Sequence, residues 1–288
     1  MKEEDMRRII LLITTVFLCC QLSAQRVKEL TVLHTNDTHS LIEPVSKLDV
    51  NKEQADKGGY VRRAAMVREM RTKDPDLLLF DCGDFSQGSP YYNMFQGEVE
   101  IRLMNEMKYD VGAIGNHEFD FGLENMARLF RIAKFPFVCA NYDFKGTVLE
   151  GLVKPYVILK RKGLKIAVFG LSPEMEGLIQ AEKCQGVVFH NPYGIANKVA
   201  ALLKEKEHCD VIICLSHLGW RASTNNSFCD EELISKTRNI DLVLGGHSHS
   251  MLETPHYYKN LDGKEIPVTQ MGKNGVYIGK INLKFTRK

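Results

Sequence analysis

The chain carries nine polar side chains whose types and order could do chemistry: Asp37 and His39 in "HTNDTHS", Asp84 in "CGDFSQGS", Asn116, His117 and Asp120 in "GNHEFD", His217 in "LSHLGW", and His247 and His249 in "GGHSH". Taken alone, His217 would read as a core histidine and Asp37 or Asn116 as a turn cap. Together, carboxylates, an amide and imidazoles form a mixed oxygen and nitrogen donor set. Such a set suits Zn²⁺, Mn²⁺, Fe or Co better than Ca²⁺, which prefers an all-oxygen shell. There are too many donors for one four-coordinate ion, but the number suits two. Two ions about 3.5–4 Å apart clamp the attacking and leaving oxygens of a phosphoryl transfer, and a water between them ionises near neutral pH to become the nucleophile. An aspartate can bridge the pair. One imidazole is then left for the leaving group. If "GNHEFD" turns into a helix start, Asp120 reaches back to His117, fixes the ring and favours its protonated form. Glu118 is the competing partner and is expected to point outward.

These residues need elements to bring them together. Short apolar runs rich in β-branched residues occur at 30–34, 77–81, 111–115, 137–140, 165–171, 211–216 and 241–246. Helical patterns at 58–72, 98–108, 123–134 and 193–207 lie between several of them; in the first, Val61, Ala64, Ala65 and Arg68 share a helical face. The alternation implies an α/β fold with helices covering sheets. Five of the apolar runs end in the polar residues named above, and ligands in such sheets bind outside the carboxyl ends of the strands. His247 and His249 lie two apart, so in an extended segment both rings face the same way. Beyond residue 251, "IPVTQM" and "GVYIGKINLKF" read as a terminal hairpin or as edge strands.

With 44% hydrophobic residues in 288, the chain can bury one large domain. The 38 basic and 36 acidic residues leave a net charge of +2 with no long basic run, which excludes a nucleic-acid polymer as the expected partner. The start differs from the rest. "MKEEDMRR", "IILLITTVFLCC" and "QLSAQ" follow the pattern of a secretory signal, with cleavage expected after Ala24. The apolar run is shorter than the roughly 20 residues of a membrane span. A lipid-modified Cys19 or Cys20 competes, but bulky Leu18 and a second cysteine stand where a small residue is wanted. The chain is therefore expected to comprise a signal at 1–24 and a catalytic domain at 25–288, exported to the periplasm or cell surface, with no stable membrane span after cleavage. Six cysteines remain, an even number that permits disulfides in an exported protein. There is no CxxC, and Cys82, Cys139 and Cys214 fall in strand-like runs where a small buried hydrophobe fits.

In this order the motifs resemble the calcineurin-like metallophosphoesterases. "LHTNDTHS", "GGYVRRAAMVRE", "CGDFSQGSPYY", "IGNHEFDFG" and "GGHSH" are similar to its 5′-nucleotidase and UDP-sugar hydrolase branch, from about residue 28 to the C-terminus. The resemblance implies a four-layer αββα sandwich, two mixed β-sheets flanked by helices. It implies that Asp37, His39 and His249 bind one divalent ion, that Asn116, His217 and His247 bind a second, and that Asp84 bridges them. His117, oriented by Asp120, would stabilise the transition state or protonate the leaving group, and Asn116 and His117 would also touch the substrate. The implied substrate is a nucleotide or related small phosphate ester. Members of the branch add a C-terminal domain whose aromatic residues stack on the base and whose arginines hold the phosphate; that half is expected to be missing here. Arg62 and Arg63 could supply charge, but their plainer place is a helix surface. Tyr91 and Tyr92 could line the cleft or simply pack.

Three functions follow from this set. The first is a stand-alone exported phosphohydrolase. The second is a catalytic subunit that needs a separately encoded recognition domain. The third is a non-catalytic binding or scaffold protein, against which stands the fact that every expected ligand position is filled.

Overall fold

The computed structural model describes residues 27–223 and 227–286, so the expected signal at 1–24 lies outside the described residues. The first half of the chain supplies β1 (Val27–Thr35), β2 (Leu78–Asp81), β3 (Val111–Ala113), β4 (Phe137–Val138), β5 (Tyr142–Asp143) and β6 (Val153–Lys154). The second supplies β7 (Tyr156–Arg161), β8 (Leu164–Leu171), β9 (Val188–Phe189), β10 (Val211–Ser216), β11 (Leu242–Leu244), β12 (His256–Lys259), β13 (Glu265–Thr269) and β14 (Gly279–Thr286). The helices are α1 (Tyr60–Lys73), α2 (Pro90–Phe95), α3 (Glu98–Met107), α4 (Gly122–Ile132), α5 (Pro192–Ala201) and α6 (Asp230–Ser235).

Two six-stranded mixed sheets form, in the orders β14-β1-β2-β3-β4-β6 and β12-β13-β11-β10-β8-β7, with β5 and β9 paired separately. Strand alternation sets their faces. Leu30, Val32, Leu78 and Phe80 of the first sheet meet Ile166, Val168, Ile213 and Leu244 of the second in a shared apolar layer. The opposite face of the first sheet, with Leu33 and Leu79, is covered by Val67 of α1, Ile101 and Met104 of α3 and Met126 of α4. Ala196 and Ala200 of α5 and Leu233 of α6 cover Phe169, Ile212 and Val243 on the outer face of the second. This is the expected four-layer αββα sandwich. Local signals start the helices: the Asn191 side chain accepts from the amides of Tyr193 and Gly194, and Pro192 opens α5.

Three expectations need correction. The buried face of α1 runs through Tyr60, Arg63 and Val67, while Val61 is 82% exposed. Arg63 is therefore a core residue. Its guanidinium lies 4.4 Å from the Tyr60 ring centroid and donates to the Gly275 carbonyl at 3.3 Å. Counting apolar residues cannot find a face that contains an arginine held by an aromatic ring. The two C-terminal pieces are not a hairpin, and only the second is an edge strand. β13 lies inside the second sheet, parallel to β11 and antiparallel to β12, whereas β14 pairs antiparallel with β1 at the edge of the first. Finally, Glu118 points inward. Tyr92 is buried, which decides for packing, and Cys82, Cys139 and Cys214 are buried free thiols, as expected.

Candidate metal centre

β2 runs parallel to both β1 and β3, and β10 runs parallel to β11, so the loops leaving all five strands meet at one end of the sandwich. Hydrogen bonds tie these loops into a continuous frame. The amides of Asp37 and His39 donate to the carbonyls of Gly83 and Asp84, each at 3.0 Å. The His117 amide donates to Asp84 Oδ1 at 2.9 Å. His217 Nδ1 donates to the Cys82 carbonyl at 2.7 Å, and the His247 amide donates to Asp37 Oδ2 at 3.0 Å. A carbonyl only accepts, so His217 Nδ1 carries the hydrogen and Nε2 is turned toward Asp84.

Glu118 locks the same frame from beneath. Its Oε2 accepts from the Gly115 amide at 2.6 Å and the Asp84 amide at 3.0 Å, and Oε1 accepts from Ser86 Oγ at 3.2 Å. The reason is local. His117–Phe119 is a 3₁₀ turn, which rotates neighbouring residues by about a third of a circle. His117 therefore faces the site and Glu118 faces the protein. Asn36 and Gln270 were also missed. Asn36 Nδ2 donates to Asp37 Oδ2 at 2.6 Å, and Gln270 Nε2 donates to the Gly246 carbonyl at 2.6 Å. Gln270 follows an apolar strand, so the same strand-end rule would have found it.

The sequence-derived residues gather as two groups of potential ligands, Asp37 with His39 and His249, and Asp84 with His217 and His247. His39 Nε2 and His249 Nε2 are 3.0 Å apart, and His217 Nε2 is 3.0 Å from Asp84 Oδ2. Asp37 Oδ1 lies 3.5 Å from His249 Nε2 and 3.8 Å from His217 Nε2, between the groups. His247 and His249 reach different groups, but not through an extended segment: their φ angles are 72° and 53°. Asp37, His39 and Asp84 are also left-handed, with φ of 49°, 43° and 55°. Such conformations cost on the order of 1–3 kcal/mol each and cluster at functional sites. The glycines before His247 serve close approach. A Cβ on Gly246 would stand 2.8 Å from His217 Nδ1, and one on Gly115 would collide with the Asp84 carboxylate.

The electrostatics favour a cation here. Burial pushes Asp37 up to about 7, with Asp84 nearby adding to the shift against the pull of His217. Burial alone would also raise Asp84, but His217, His117 and His39 outweigh it and hold its carboxyl below the usual range. Burial, with neighbouring imidazoles, lowers His39 and His247 to about 4, which leaves them neutral with free lone pairs. The amide oxygen of Asn116 is buried with no protein partner. Facing imidazole nitrogens, an unpaired amide oxygen and two buried carboxylates match the donor chemistry of divalent ions.

His117 stands beside this set, its ring centroid 5.5 Å from that of His39. Asp120 Oδ2 lies 3.1 Å from His117 Nδ1, and the Tyr92 hydroxyl donates to the His117 carbonyl at 3.3 Å. Burial pulls its pKa down, but the hydrogen bond to Asp120 and the Asp84 charge outweigh it, so the pKa is raised.

Comparison with known proteins agrees with this picture. The family model for calcineurin-like phosphoesterases matches residues 30–251. Snake venom 5′-nucleotidase from Crotalus adamanteus is 33% identical, over 97% of this chain and 49% of its own length. Human 5′-nucleotidase is 31% identical, over 90% of this chain and 47% of its own length. Among solved structures, the 5′-nucleotidase precursor of Thermus thermophilus superposes with a TM-score of 0.79 at 30% identity, covering 90% of this chain and 52% of that one. The chain thus spans about half the length of the curated relatives it matches.

Proposed function

Because the chain belongs to the calcineurin-like phosphoesterase family, we propose that it hydrolyses phosphate monoesters, nucleotides first among them, with two divalent metal ions. The observation that carries this is the convergence of two three-residue donor groups beside the His117–Asp120 pair. Asp37, His39 and His249 would hold one ion, Asn116, His217 and His247 the other, and Asp84 would be shared. Once bound, the ions supply charge neutralisation of the phosphoryl group and an activated water. The chain's own residues do the rest. Asp120 engages His117 Nδ1 and stabilises the imidazolium, leaving Nε2 to give a proton to the departing oxygen. Glu118 holds the amide of Asp84, and the Cys82 carbonyl fixes the ring of His217. A cavity of about 270 Å³ lined by Asn116, His117, Asp120, Gln180 and Lys183 adjoins the proton donor and offers room for the leaving group.

The relatives are about twice as long as the part they share with this chain, and a second reading is that substrate recognition needs a further domain. Metal-depleted protein reloaded with Mn²⁺, Zn²⁺ or Co²⁺ is to be assayed against nucleoside monophosphates, UDP-sugars, cyclic nucleotides and an aryl phosphate. No turnover of any substrate sinks the first reading, and activity that appears only with an added recognition domain establishes the second. Asp84→Ala should lose metal and activity together. We place residues 25–288 as the catalytic unit, exported after removal of 1–24; N-terminal sequencing of the exported protein tests the cleavage.

A further inference from the structure

A tight turn, Gly272–Gly275, lies against the loops that carry Asp37 and His249. The Gly272 amide donates to the Ser250 carbonyl at 2.9 Å, one residue past His249. Asn36 Nδ2 donates to the Gly272 carbonyl at 2.8 Å. The Asn274 amide donates to the Asp37 carbonyl at 2.7 Å. Gly272, Asn274 and Gly275 all take left-handed φ angles, 66°, 64° and 57°, so the turn is sharp, and buried Arg63 secures it through the Gly275 carbonyl. Lys273 stands at the tip. Both of its neighbours are pinned to the segments that bear the first donor group. Its side chain is exposed and makes no ion pair or hydrogen bond among the described residues.

We propose that Lys273 is a substrate-binding residue, the cation that meets the phosphoryl group of an anionic ester at the rim of the metal centre. This rests on the proposed phosphohydrolase reading. Two divalent ions against two carboxylates already leave positive charge in excess, so a further cation opposes metal binding and is useful only when an anion arrives. An ordinary surface lysine needs no such anchoring; here three hydrogen bonds to the ligand loops fix where the ammonium group starts. A compact ammonium group suits a phosphate as a point charge. The ligand class is therefore a phosphomonoester dianion rather than a diester monoanion, because the attraction scales with the charge of the phosphoryl group.

The test is titration calorimetry of inorganic phosphate into the metal-loaded full chain, with metal content measured in parallel. Lys273→Ala should weaken phosphate binding by on the order of tenfold. Lys273→Arg should keep it within about threefold, since the charge remains. KM for 4-nitrophenyl phosphate should rise in Lys273→Ala more than KM for bis(4-nitrophenyl) phosphate. Unchanged phosphate affinity in Lys273→Ala overturns the proposal. So does loss of metal from that variant, which would make the residue a support for the ligand loops. Failure of the wild-type chain to hydrolyse any ester would count against the phosphohydrolase reading alone, because phosphate binding reports on Lys273 without turnover.

Discussion

His117 and Glu118 are adjacent in the chain but point to different sides of a 3₁₀ turn, so the proposed proton donor faces the site while Glu118 faces the protein. In the proposed mechanism His117→Asn removes the proton donor but none of the donor groups. Turnover should fall by about 10²–10⁴-fold with metal content retained, measured by steady-state kinetics and elemental analysis. Burial pulls the His117 pKa down, but Asp120 and Asp84 outweigh it and raise it, which favours the protonated form. Asp120→Asn removes one of those influences. The alkaline limb of the kcat–pH profile should therefore move to lower pH, whereas a merely structural change would lower kcat without moving the limb. Glu118→Gln keeps the shape of the side chain but weakens an acceptor of two backbone amides and replaces one carboxylate oxygen with a donor. Metal affinity should drop by about 10–100-fold, as for other residues that orient ligands from behind, read by competition with a chelating dye. The types and spacing of His117 and Asp120 allowed their pairing to be read from the sequence. The direction of Glu118 was not legible, because it depends on which short helix the segment adopts.

At the scale of elements, each donor leaves the carboxyl end of a strand, and apolar runs made five of those ends visible. The turn after β11 is tightly constrained. Gly246 has no room for a Cβ between His217 Nδ1 and the Cys82 carbonyl, 2.8 and 3.1 Å away. Gly246→Ala should displace the His217 ring and loosen the second donor group, weakening binding of one metal equivalent by at least about tenfold with the other less affected. A stoichiometric metal titration distinguishes this from loss of both. Two glycines before two histidines are plain in the sequence, but alternation suggested an extended backbone where the residues are left-handed. Helix α1 failed for a related reason: a buried arginine under a tyrosine ring is invisible to a pattern that counts apolar side chains. β13 and β14 both read as strands, but nothing within either says which sheet it joins.

At the scale of the molecule, the layer between the sheets keeps five strand ends aligned. Ile213 of β10 is fully buried in that layer, between β8 and β11. Ile213→Ala should cost about 2–5 kcal/mol, lowering Tm by several degrees while turnover per folded molecule changes little. Thermal melts and assays at low temperature check both. No helix among the described residues is long and apolar enough to cross a membrane.

The sequence by itself determined which residues are candidates for the chemistry, the α/β class and the family. Donor types and their order along the chain are covalent facts, and strand and helix periods are local. Only the tertiary structure decided that the donors converge, that Glu118, Asn36 and Gln270 brace them, and that the turn bearing Lys273 packs against their loops. Those relations join residues far apart in the chain, such as Asp37 and Asn274, and they exist only once the two sheets pack face to face.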